Sequence, residues 1–433
     1  MIGRRALLGG AAAVVAGAGL ALTPVWRSTA EPVDEAAIDE AAIDDAAIDE
    51  AAIDDAATRL DGSLVELRRD IHRHPETAGQ EQRTAELVAE RLRAAGLDVT
   101  TGVGGYGVVG VLEGARPGRA VAYRADMDAV PPDGQIVGGP AAAHVCGHDL
   151  HTTIGVGIAE VLASLRDRLG GTVVFVFQPG EEALTGAAAM LDDGVLAGTR
   201  PAEIHALHCG PFPVGRFATA PGYGLPGQDR GTVTLTGPDA AEQARRLAAE
   251  IGGLGTVSPP GSSADLERLV ADIQTPDGPL ATFVFMRAAV SEAANEVAVS
   301  YRCWPEERHV EVRESIRRLA RPYDGASVDF PGGPFPAMVC PERQGQDLTE
   351  YLRGTLGADR VVTLHAAIPF SGEDFALFLD RLPGTFTFLG VRAPGSALES
   401  SYPHYGVFEP DERAIGYGVR AMAGWLARRA RTE

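Results

Sequence analysis

The 433-residue sequence contains no lysine: all 38 of its fixed cations are arginine. That absence removes two mechanisms, phosphate-loop chemistry built on a lysine and covalent catalysis through a lysine Schiff base. Cysteine is scarce too. Cys146, Cys209, Cys303 and Cys340 are too few and too scattered for a disulfide framework, which leaves metal binding or burial as their uses. Basic charge is outnumbered, 38 residues against 59 acidic ones, for a formal net charge of −21. Nucleic acid is therefore not an expected partner.

With 45% hydrophobic residues the chain can bury a large core, and its length predicts two domains. Arg4 and Arg5 precede an Ala/Gly/Leu/Val stretch, and Ser28-Thr29-Ala30 offers small residues for cleavage, so 1–30 reads as a twin-arginine signal for export. Left uncleaved, the same stretch would be a membrane anchor. From Glu35 a five-residue unit of the form EAAID repeats, in a stretch where Glu31 to Ala57 holds 11 acidic residues and no basic ones. In a helix that period turns each isoleucine by about 140°, so Ile38, Ile43, Ile48 and Ile53 share no face. A solvated linker over 31–59, in part helical, is expected.

Folded sequence begins near Leu60. Leu64, Leu67 and Ile71, then Leu87, Val88 and Leu92, have helical spacing, and Gly96 is placed to stop the second helix. Strand-like runs follow at 108–112, 120–124 and 172–178, with a helical stretch near 154–165 between the last two. Such alternation predicts an α/β sheet with ligands beyond the carboxyl ends of its strands. Near Arg230 the pattern becomes βαββαβ: strands at 232–236, 281–287, 297–304 and 327–330, helices at 240–251 and 310–320. This predicts a ferredoxin-like α+β insert over 229–333, the first domain occupying 60–228 and 334–433.

Three imidazoles, a thiol and a carboxylate share eight residues in His144-Val145-Cys146-Gly147-His148-Asp149-Leu150-His151. Thiolate and imidazole suit zinc or a comparable divalent ion, and Gly147 lets the backbone bend so that both neighbours face one centre. The bland alternative is a buried cysteine beside surface histidines. In Phe175-Val176-Phe177-Gln178-Pro179-Gly180-Glu181-Glu182 an apolar strand breaks at Pro-Gly and then presents adjacent carboxylates. One can bind a metal while its neighbour takes a proton from water, although such pairs are more often solvated charge. His205 and His208 fall on opposite sides of a strand, so at most one faces a site. Pro403-His404-Tyr405 and Ser371-Gly372-Glu373-Asp374-Phe375 are weak signals alone.

Together these segments resemble peptidase family M20, in the amidohydrolase branch that includes hippurate hydrolases and auxin-conjugate hydrolases. The resemblance runs from about Leu64 to the C-terminus. It also draws on His72-Arg73-His74-Pro75-Glu76, on Arg124-Ala125-Asp126-Met127-Asp128-Ala129-Val130-Pro131, and on Phe408-Glu409-Pro410-Asp411-Glu412. It implies an α/β catalytic domain with two divalent ions, zinc, manganese or cobalt, and an inserted lid that can also join two chains as a homodimer. At matching positions Cys146 would bridge the ions, His148 and His208 would hold one, and Glu182 and His404 the other. Glu181 would be the general base and later the acid for the leaving amine. Asp128 joins it as a catalytic candidate by orienting ligands, together with Asp126 and His151. The implied reaction is hydrolysis of the amide bond of an N-acyl amino acid or similar small conjugate.

The insert departs from the family. A Gly-Gly-His-Ala-Ala segment that usually brings a histidine to the substrate is missing, since Thr236-Gly237 runs directly into Pro238-Asp239 and no histidine occurs between His208 and His309. Ser291-Glu292-Ala293-Ala294 stands where Asn-Val-Ile-Pro is usual. Substrate recognition is therefore expected to use new contacts, with Arg287 or Arg302 as candidates for a substrate carboxylate. Periodicity alone places Arg302 on a solvated sheet face. A non-catalytic, metal-containing binding protein on the same fold is the alternative to the enzyme.

Overall fold

A computed structural model of the protein describes residues 48–291, 295–323 and 325–432. The expected export signal and the acidic repeats before Ile48 lie outside the described residues. The strands, in chain order, are β1 (Asp98–Val103), β2 (Gly107–Glu113), β3 (Arg116–Asp126), β4 (Gly170–Gln178), β5 (Ile204–Pro213), β6 (Phe217–Thr219) and β7 (Gly224–Leu225). Then come β8 (Asp229–Thr234), β9 (Phe283–Val290), β10 (Glu296–Trp304), β11 (Ser327–Asp329), β12 (Met338–Val339), β13 (Val361–Thr363) and β14 (Gly384–Arg392).

The main sheet runs β1-β2-β4-β3-β5-β14-β6-β13. Its centre is parallel, with β3 between β4 and β5, and β5 beside β14. Apolar side chains leave β4 in both directions: Val173, Phe175 and Phe177 enter one core, Val174 and Val176 another on the opposite face. Helices Asp61–Arg73, His148–Ser164 and Arg413–Ala430 supply the first core. Parallel order brings the carboxyl ends of neighbouring strands to one edge, where Asp126 pairs in register with Gln178. The edge strand β1 has an exposed, polar sequence with no apolar alternation, so it was not legible as a strand.

A second, antiparallel sheet has the order β11-β8-β10-β9. Val297, Val299 and Tyr301 alternate from β10 into a core with Leu247 and Ile251 of helix Ala240–Gly252 and Val312 and Ile316 of helix His309–Ala320. The βαββαβ order read from the sequence is present with one addition, the helix Ser263–Asp272. Its Gly- and Pro-rich flanks concealed it. Ser262 caps it by accepting from the Asp265 N–H, and Leu266 and Leu269 are buried. Leu269, Ile273 and Leu280 belong to the core of the main sheet, and the Ile273 carbonyl accepts from His365 N–H at 2.8 Å. The segment thus ties the second sheet to the first.

The last repeat is helical, as the reading of 31–59 allowed, but it is not solvated: Glu50–Thr58 is a helix with Ile53, Ala56 and Ala57 buried. Asp49 caps it, accepting from Ala52 N–H at 2.7 Å. The five-residue period denies the repeat a shared apolar face, yet one isoleucine suffices where a slot exists. Gly424 leaves that slot: a Cβ there would lie 3.3 Å from Ile53 Cδ1. Acidic residues flanking it find arginine, since Arg420 donates to both Asp54 and Asp61. No helix among the described residues is long and apolar enough to cross a membrane.

Candidate metal centre

Gly147 adopts φ 97°, a left-handed conformation that glycine tolerates without strain, immediately before helix His148–Ser164. Cys146 and His148 are thereby turned toward a common point. Cys146, His148 and His208 offer donor atoms within 4.8 Å of one another; Cys146, Glu182 and His404 form a second such group that shares the thiol, and His148, Glu181 and Glu182 a third. Cys146 Sγ lies 3.4 Å from His208 Nε2, and Glu182 Oε1 lies 3.8 Å from His148 Nε2 and 3.6 Å from His404 Nε2.

Each of the three imidazoles uses Nδ1 on a backbone carbonyl: His148 on Asp128 at 2.8 Å, His208 on Cys209 at 2.8 Å, His404 on Gly134 at 3.1 Å. Such bonds fix the tautomer and leave the Nε2 lone pair for a ligand. His148 Nε2 and Glu182 Oε1 are buried and have no hydrogen-bond partner among the described residues, a costly arrangement unless a cation lies between them. Burial first, and then Glu182, Glu181 and Asp126, push the Cys146 thiol well above its usual pKa. Burial opposes charge on His148, but Asp126, Asp128 and Glu182 outweigh it and lift the imidazole to about 10. So negative a field does not release a thiolate by itself; positive ions would. The donor set fits divalent metal.

Asp128 touches both halves of the site. Its carboxylate accepts from the Glu181 and Glu182 N–H groups at 3.1 and 2.9 Å, and lies 3.3 Å from His148 Nδ1. His151 has both ring nitrogens engaged, Nδ1 with Asp126 at 2.7 Å and Nε2 with the Cys209 N–H at 2.8 Å, so it supports the centre without a lone pair to offer. Glu181 is buried, and burial, followed by the charges of Glu373, Glu182 and Asp374, raises its pKa well above the usual carboxylate range. A raised pKa suits a group that must hold a proton between two steps.

Beneath Glu181 lies a network that sequence reasoning missed. Arg124 donates to Gln178 at 2.9 Å, Asp126 at 2.5 Å, Glu373 at 2.9 Å and Asp374 at 3.2 Å, all of these groups buried. Only the fact that Arg124, Gln178, Glu373 and Asp374 all stand in family-like segments pointed to it. His205 proves to be on the far side of β5, against Thr385 and Trp425, as strand parity requires. Arg302 is the other surprise. It leaves β10 on the side opposite Tyr301, but that side faces the main domain: the guanidinium donates to the Pro226 carbonyl at 3.3 Å and packs where a Cβ on Gly372 would collide with it. Burial, then the neighbouring Arg230, pull its pKa down to about 10, while Glu181 acts in the other direction. Arg287 is exposed, its guanidinium 5.2 Å from the Phe285 ring.

Residues 122–428 match peptidase family M20/M25/M40. The chain belongs to that family, and it is a metal-dependent hydrolase of amide bonds. It is 29% identical to the N-acetylcysteine deacetylase of Bacillus subtilis over 371 residues, covering 81% of this chain and 93% of that one. Over 388 residues it is 28% identical to thermostable carboxypeptidase 1 of Saccharolobus solfataricus, covering 83% and 93% respectively. Among solved structures it resembles the YXEP protein of Bacillus subtilis, described as a dinuclear metal binding peptidase of the same family. That match has a TM-score of 0.65 and 26% identity, and covers 86% of this chain and 99% of the other.

Proposed function

We propose that the protein hydrolyses the amide bond of N-acyl amino acids or related small conjugates, with Glu181 as general base. The observation that carries this reading is the pair of donor groups sharing Cys146, with Glu181 beside them. Cys146, His148 and His208 would hold one divalent ion, and Cys146, Glu182 and His404 the other; zinc, manganese or cobalt suits them. Such ions supply polarisation of the amide carbonyl and a lowered pKa for water. Glu181 takes the proton of the attacking water and returns it to the leaving amine. Asp128 holds the backbone of the Glu181–Glu182 pair and the ring of His148. Arg302 would receive a substrate carboxylate, its planar fork matching two oxygens.

The test is a panel of N-acyl amino acids with metal analysis in parallel. Glu181→Gln should keep about two ions per chain and lose about 10²–10⁴ in kcat, whereas Cys146→Ala should lose metal. Near wild-type kcat in the Glu181 variant would remove it as the base, and a metal-loaded but inactive wild type would favour the non-catalytic alternative. Arg302→Ala should raise KM chiefly for substrates with a free α-carboxylate; an equal effect on their amides would exclude that contact. Export through the Arg4-Arg5 signal and pairing of two chains through the insert belong to the same proposal. N-terminal sequencing of the secreted protein and its native mass test them.

A further inference from the structure

We propose that Glu81 is a positioning residue for the base, holding the turn that carries Glu181; the proposal rests on the reading of Glu181 as general base. Glu81 immediately precedes the helix Gln82–Ala94, yet its side chain makes no capping bond there. Glu76 has taken that task. Its carboxylate accepts from Arg83 N–H at 2.9 Å and Thr84 N–H at 2.8 Å, while its carbonyl accepts from Ala129 N–H at 2.7 Å, just beyond Asp128. The loop from Glu76 to Glu81 is thereby pinned beside the end of β3.

Released from capping, Glu81 points into the protein and is fully buried. Its Oε1 accepts from Gly79 N–H at 3.0 Å and from Gly180 N–H at 2.8 Å. Asp128 accepts from the next two amides, those of Glu181 and Glu182. Three successive N–H groups therefore end on two buried carboxylates. Gly180 is the hinge of this turn: it has φ 63°, follows Pro179, which has no N–H, and directly precedes the base. Without Glu81 the Gly180 amide loses its acceptor and the plane leading into Glu181 can rotate.

Glu81 is an expensive way to fill space. Its Oε2 is buried and has no hydrogen-bond partner among the described residues, and burial, its largest influence, raises its pKa. A leucine of similar size would satisfy packing without burying a carboxyl group. The acceptor aimed at Gly180 is what a leucine cannot supply.

The experiment compares Glu81→Ala, Glu81→Asp and Glu81→Gln in the full, metal-loaded chain, with kcat, KM, metal content and thermal midpoint on the best substrate of the panel. Displacing a reacting group by about 1 Å can cost about 10²-fold, so the Ala and Asp variants should fall by that order in kcat while KM and metal content hold. Aspartate keeps the charge but is too short to reach Gly180, and it tests the idea even if the alanine variant does not fold. Glutamine should restore most of kcat, because its amide oxygen still accepts from both N–H groups. The proposal is overturned if the Asp variant keeps wild-type kcat, if the Gln variant is as impaired as the Ala variant, or if activity falls only in step with metal loss. Glu181→Gln measured alongside separates the two ideas. Retained turnover there defeats the base assignment, whereas lost turnover there with active Ala and Asp variants at 81 defeats only the positioning role.

Discussion

Replacing Arg124 by methionine removes a cation that the Asp126, Glu373 and Asp374 carboxylates share. Arg124 is 1% exposed, and its bonds to these groups and to Gln178 are all buried. Breaking a buried ion pair from one side costs about 3–5 kcal/mol, because the remaining charge is left bare. The pH dependence is more diagnostic than the size. Burial raises the Glu373 carboxyl from 4.5 to about 7 and that of Asp374 from 3.8 to about 6, with Arg124 pulling both back down. A carboxyl with a raised folded-state pKa binds its proton more tightly when folded. Its contribution to stability is present below the unfolded value and is lost as pH rises through the folded one. Without Arg124 both pKa values climb further, so the loss of stability from these two carboxyls extends to higher pH in the variant than in the wild type. The deficit should therefore be smallest near about pH 5, with Glu373 and Asp374 neutral, and largest near about pH 8. Denaturant midpoints followed by circular dichroism at both pH values, at unchanged m, measure it. A deficit below about 1 kcal/mol, or one equal at the two pH values, would refute the reasoning.

Two further substitutions probe the metal loop and the acidic repeat. Gly147→Ala should abolish metal loading, since a Cβ at φ 97° would stand 2.7 Å from Cys209 Sγ and displace Cys146 or His148; normal metal content by elemental analysis would contradict this. Ile53→Ala should cost about 2–5 kcal/mol by opening a cavity under the first helix, whereas a solvated linker predicts no change in the denaturation midpoint.

Legibility followed how local each feature is. The candidate donors at 146–148 and 181–182 could be read because Cys146-Gly147-His148 packs three requirements into three residues, and because the Gln178 to Glu182 stretch joins an apolar strand to its break and then to paired carboxylates; His208 and His404, each alone in its segment, were candidates only through the family resemblance. The insert could be read because Val297, Val299 and Tyr301 alternate cleanly and the helix from Ala240 keeps its period. Ile53 was misread for the opposite reason. A repeat with no shared face carries no signal of burial, and the slot beside Gly424 lies in a helix more than 350 residues later. Arg302 shows where periodicity stops. Alternation correctly put it on the polar face of β10, but whether a polar face meets water or another domain depends on what packs there, here the loop through Gly372. Arg124 and Glu81 go further, because one buried arginine or carboxylate looks in sequence like any of the 38 arginines or 59 acids around it. What distinguishes them is the set of partners they collect, four side chains for Arg124 and two backbone amides for Glu81. Groups that position other groups are thus written in contacts between distant segments, which leave no pattern in any one stretch of sequence.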